Sequence, residues 1–137
     1  MGDVARRRDV GARAIVAGSL VGAAACMALM AAVVRFEASA AALAATIFGA
    51  SFFAWGVWAP SFVALGQVFP GADASTAFGL YNTICVVGAI VGPSVTGALR
   101  DATGSFAGAC GLGAVIAALG AVASLAVTPR PEFTARL

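Results

Sequence analysis

From Ala74 to Leu99 the chain runs for 26 residues without a charge, in the order ASTAFGLYNTICVVGAIVGPSVTGAL. As an α-helix this stretch spans the roughly 30 Å hydrocarbon core of a bilayer. It is not uniformly greasy. Asn82, Cys85, Gly92 and Thr96 fall within about 80° of one another at 100° per residue, forming a narrow strip of small or weakly polar side chains. Such a strip suits the close approach of another helix, or the wall of a narrow wet cavity, better than it suits acyl chains.

The rest of the chain carries the same signature. Hydrophobic residues make up 61% of the 137 and charged residues 10%, against about 25% charged in soluble domains. Too few charges remain to cover a water-facing surface, so the fold class is an all-α integral membrane protein with the lipid bilayer as solvent. Lys and His are absent and all eight cations are Arg. A net charge of +2 gives no reason to expect a nucleic-acid partner. Cys26, Cys85 and Cys110 lie far apart inside apolar runs. Without Cys or His partners at ligand spacing they read as small packing residues, and no metal or cofactor is expected.

Residues 1–13 form an Arg-rich segment, with Arg6, Arg7, Arg8 and Arg13 set against Asp3 and Asp9. Four membrane spans follow at about 14–34, 42–69, 74–99 and 106–127, with a polar tail over 129–137. The apolar side chains of the first span contribute roughly −3 kcal/mol to insertion, a moderate value for a helix filled out with Ala and Gly. A secretory signal ending at Ala38-Ser39-Ala40 is the rival reading of this stretch, although an apolar core of 21 residues exceeds the usual 7–15.

The second span carries both Trp residues near its middle, although Trp favours the membrane interface. Ser51, Trp55, Trp58 and Phe62 share one helical face. Gly49, Phe53, Gly56, Pro60, Val63 and Gln67 share the opposite one. Pro60 has no N–H, so the Gly56 carbonyl loses its helical partner and the span should kink there. The Trp pair then either packs between helices or lines a cavity. After the third span, Arg100-Asp101-Ala102-Thr103-Gly104-Ser105 makes a tight reversal in which Thr103 or Ser105 can cap the next helix. A turn this short predicts antiparallel neighbours.

Four spans place both termini on one side. Six of the eight arginines lie in the two ends, so both termini are expected in the cytoplasm and the protein in the inner or plasma membrane. The pairs Gly18/Gly22, Gly88/Gly92 and Gly104/Gly108, with Pro93 and Gly97, favour close helix crossings. No ionisable side chain lies within a span, and no nucleophile–base, paired-carboxylate or phosphate-loop arrangement is present. An enzyme is not expected.

The order Phe69-Pro70, Gly79-Leu80-Tyr81-Asn82, Gly88, Gly92-Pro93, Gly97 and Asp101-Ala102-Thr103-Gly104-Ser105-Phe106 resembles the end of the tenth helix, the eleventh and the start of the twelfth in transporters of the major facilitator superfamily, with organic-anion symporters the most similar in feel. The opening Asp3…Arg7-Arg8 is similar, in part, to the superfamily's cytoplasmic loop motif between the eighth and ninth helices. Val4 and Arg6 stand where the motif has Arg and Gly, and a plain cytoplasmic Arg cluster is the preferred reading. The resemblance implies that the four spans are helices nine to twelve of a secondary transporter, a partial C-terminal lobe, moving a small organic solute that could be an anion. It implies that Ser51, Trp55 and Trp58 border the substrate path and that Asn82 lies where the two lobes meet. A static interhelical hydrogen bond is the competing role for Asn82. The partners implied are the missing N-terminal helices and a small-molecule solute. The alternative is a free-standing four-helix membrane protein that forms a homo-oligomer, with a packing or interaction role and no transport of its own.

Overall fold

The computed structural model describes residues 2–69 and 71–126, and every regular element among them is a helix. Helix α1 covers Gly2–Arg35, α2 Ala40–Gly56, α3 Trp58–Val68, α4 Ala72–Thr103 and α5 Ala107–Ala126. Four stretches are long and apolar enough to cross a membrane, namely Ala14–Arg35, Ala40–Gly66, Asp73–Thr103 and Ala107–Ala126. The Arg-rich opening is therefore continuous with the first span, as the lower turns of α1. The tail at 129–137 and the expected end of the last span near Val127 lie outside the described residues.

The helix ends follow from local chemistry. After α1 the chain reverses through Glu37, whose φ of 50° lets the Ala38 N–H reach back to the Val33 carbonyl at 3.0 Å. This closes the helix end in the way a left-handed residue usually does. Ser39 starts α2, its hydroxyl accepting from the Ala42 N–H at 3.3 Å. At the other hairpin, Gly104 takes a φ of 71° and its N–H bonds the Arg100 carbonyl. The Thr103 hydroxyl donates to the Leu99 carbonyl at 2.7 Å, and the Ser105 hydroxyl accepts from the Ala107 N–H at 3.2 Å. Of the two, Ser105 caps the helix that follows, while the Thr103 hydroxyl bonds back to its own helix. The Arg100 guanidinium sits 5.1 Å from the centre of the Phe106 ring, a cation–π contact across the turn. Arg100 and Asp101 are the last charged residues of α4 and do not end it, because the helix continues to Thr103.

The second span is two helices. The break falls at Val57, whose N–H bonds the Ala54 carbonyl at 3.3 Å, one residue closer than an α-helix demands. Three residues on, Pro60 has no N–H to offer the Gly56 carbonyl. The tightened turn and the missing donor together separate α2 from α3.

Packing centres on α1, which lies against both α2 and α5. Among the described residues the buried ones are Ala17, Ala23, Ala50 and Ala121, so the interior they form is made of methyl groups and close backbones. In lipid there is no hydrophobic drive between helices, and small residues bring backbones near enough for dispersion to act. Along the α1–α2 seam, the positions where Gly49, Gly22 and Gly56 would carry a Cβ lie 2.9 Å from Cys26 Sγ, 2.6 Å from the Phe53 ring and 3.4 Å from Ser19 Oγ. Residues 26, 22 and 19 thus meet 49, 53 and 56 in antiparallel order. Along the α1–α5 seam, Gly113 faces the Met27 sulfur at 2.8 Å and Gly120 faces Leu20 at 3.5 Å.

Helix α4 stands apart. Its contacts are with α3 and α5, and both are slight. None of its described side chains is buried. The short turn to α5 joins antiparallel helices without making them long neighbours, because the side of α5 carrying Gly113 and Gly120 is committed to α1.

Candidate functional site

The α2 face that carries Gly49, Phe53 and Gly56 is consumed by α1, and this turns Ser51 and Trp55 outward. Ser51 is exposed, and the Trp55 side chain is 73% exposed. One turn on, beyond the break, Trp58 is half-buried. Its ring lies 6.1 Å from Trp55 in a stacked pair with 27° between the planes. Trp58 in turn touches Phe62 at 5.8 Å and the edge of Tyr81 at 6.1 Å. Phe62 reaches Phe78 at 5.4 Å and Tyr81 at 5.6 Å. The cluster is the joint between α3 and α4. Trp58 belongs to that joint, and Trp55 stands on it with one face open.

Below the cluster, between α3 and the start of α4, lies an open groove of about 490 Å³ lined by Leu65, Phe69, Asp73, Thr76, Ala77, Leu80, Tyr81 and Ile84. Asp73 is its only charged lining residue and belongs to the first turn of α4, where a carboxylate suits the helix dipole.

The strip on α4 is not covered by the helices described here. Asn82 and Gly92 are exposed, while Cys85 and Thr96 are half-exposed. A Cβ added at Gly88, Gly92 or Gly97 would meet nothing within 4 Å, and the same is true at Gly18, Gly104 and Gly108. Of the expected glycine crossings, the seam is formed at Gly22 and Gly56 and not at these positions within this chain. Helix α4 also passes through Pro93 without a break. Asn82 and the Trp pair are therefore not brought into one enclosed pocket, although Tyr81, next to Asn82 in sequence, touches Trp58.

The remaining expected residues lie at the ends. Asp101 is exposed on the last turn of α4, while Thr103 and Gly104 shape the hairpin. Asp3, Arg7 and Arg8 lie on the first turns of α1, and their side chains fall outside the described residues. Among the described residues no group of three His, Cys, Asp or Glu side chains is placed to hold a metal. The packing glycines that pattern reading missed, Gly49, Gly113 and Gly120, had a signal. Gly49/Gly56 and Gly113/Gly120 are each seven apart, two helical turns, which returns both to one face.

The model of the Major Facilitator Superfamily matches residues 2–136. The chain belongs to that superfamily. The match runs through all five helices, so it embraces the broken second span and the loosely held α4 alike. Membership makes this a multi-pass membrane protein of a transporter family, whose members are transporters rather than enzymes and handle small solutes. No curated protein and no solved structure matches the chain.

Proposed function

We propose that these helices are the ninth to twelfth of a secondary transporter and that they move a small organic solute together with helices outside this chain. The observation that carries the reading is α4, a span of the right length whose polar strip finds no cover among its own neighbours. Alternating access needs two six-helix lobes around a midplane site, and an eleventh helix that meets the opposite lobe would leave just such an uncovered face when considered with α1, α2, α3 and α5 alone. On this reading Ser51, Trp55 and Trp58 border the path and Asn82 meets the other lobe. Both termini are cytoplasmic, a reading supported by the six arginines at the two ends, and the membrane is taken to be the inner or plasma membrane. An organic anion, which the sequence resemblance suggests, would have its charge met by residues elsewhere, since the arginines of the four spans, Arg35 and Arg100, lie at their ends.

The adjacent upstream DNA is expected to encode about eight further spans. Proteoliposomes carrying those spans joined to this chain should show saturable solute counterflow, and proteoliposomes carrying this chain alone should show none. An unrelated upstream gene together with a stable homo-oligomer of this chain in detergent would overturn the reading in favour of a free-standing packing subunit.

A further inference from the structure

We infer that the open face of Trp55 is a stacking platform for the substrate, and that the solute is ring-bearing, with a planar π-faced group that is neutral or cationic. The inference rests on the assignment of α2–α3 to the substrate path. It draws on three independent features. Depth is the first. Trp55 lies 15 residues from the start and 11 from the end of the Ala40–Gly66 span, or about 22 Å and 16 Å along a helix, far from the interface where an indole facing lipid is favoured.

Rigidity is the second. Trp58 is gripped by Phe62 and Tyr81 and stacks on Trp55, so the exposed indole is held by a wall of rings rather than left to rotate. Stacked and edge-on aromatic contacts of this kind are directional, and a platform already fixed loses little entropy when a ring settles on it. The helix break is the third. It falls at Val57, between the two indoles, and discontinuous helices near the bilayer midplane are where transporters place solute sites. The charge preference follows from the surroundings. An indole face attracts cations and repels anionic groups, and the span arginines, Arg35 and Arg100, lie at span ends rather than at the depth of Trp55. Ser51, one turn before Trp55 and exposed, supplies a hydroxyl for a polar substituent on the ring.

The chain joined to its upstream spans and reconstituted in nanodiscs tests this with four probes: benzyl alcohol, benzyltrimethylammonium, its cyclohexylmethyl analogue and benzoate. Tryptophan fluorescence in a Trp58→Phe form, with any tryptophans of the upstream spans replaced by Phe, isolates Trp55. Saturable quenching by the two benzyl probes is expected, with benzyltrimethylammonium the tighter. Binding should fall about tenfold in Trp55→Leu read by equilibrium dialysis, and dibrominated lipids should quench Trp55 weakly. If the cyclohexylmethyl analogue binds as well as the benzyl probes and is lost in Trp55→Leu, the ring-bearing class is wrong, and if benzoate does so the charge preference is wrong, while the path assignment stands in both cases. Strong quenching by brominated lipid with no saturable probe binding would put Trp55 against acyl chains and overturn both. So would efficient Trp55-to-Trp55 cross-linking between copies, which would make this face an interface between two chains.

Discussion

Gly22→Ala lowers the stability of the helix bundle by about 2 kcal/mol, through overpacking at a seam with no slack. The new methyl carbon would lie 2.6 to 2.8 Å from three atoms of the Phe53 ring. One of these is the atom that joins the ring to its stem, so a small rotation does not clear the clash and α1 must move away from α2. Gly113→Ala is the informative contrast. Its methyl would approach the Met27 sulfur at 2.8 Å, but a thioether near the end of an unbranched chain can swing aside. Replacing a helical glycine also brings up to about 1 kcal/mol of helix propensity. Gly113→Ala is therefore expected to be neutral or slightly stabilising. Unfolding in graded detergent mixtures, followed by circular dichroism, measures all of these. A Gly22→Ala protein as stable as the parent would mean that the α1–α2 seam is not as close as described.

Trp58→Ala loosens α3 against α4. The α3–α4 joint is built from rings, and Trp58 supplies one of its three ring contacts, to Tyr81, while also packing on Trp55 and Phe62. Aromatic pairs add about 0.5–1.5 kcal/mol each beyond buried area. For a half-buried ring the total loss is about 2 kcal/mol. Trp55→Ala removes a single pair and should cost under about 1 kcal/mol. The position of α4 is the more telling readout, because among the described residues its other main contact is with α5. Spin labels on Leu65 and Ile84 should show a distance distribution that broadens in Trp58→Ala and stays narrow in Trp55→Ala. Equal broadening in both variants would place the joint elsewhere.

Much of the architecture was readable because lipid leaves few options. A charge-free stretch long enough to span must be a helix, and Pro60 announced where the second span would part. The face carrying Gly49, Phe53 and Gly56 was legible as a unit from 100° periodicity, although the sequence did not say that it would pack and the indole face would remain open. The glycine pairs four apart did not by themselves mark the seams formed within these helices. Close packing requires a partner as well as a small residue, and Gly88, Gly92 and Gly97 have no partner within these helices while Gly49, Gly113 and Gly120 do. The Arg100-Asp101 pair misled differently. Charges at a membrane surface mark the end of the apolar run, whereas the helix ends where Gly104 adopts a left-handed conformation. The aromatic joint was invisible for another reason, since Phe78 and Tyr81 reach Trp58 and Phe62 across a loop whose path no local pattern specifies.

The central claim is that the α4 strip completes its packing on helices outside these four. A nitroxide at Asn82→Cys, in a background where Cys26, Cys85 and Cys110 are alanine, tests it directly through collision with dissolved oxygen in the bilayer. In the chain alone the label should be highly accessible, and joining the upstream spans should cut that accessibility severalfold. Equal exposure to oxygen in the two preparations would contradict the account.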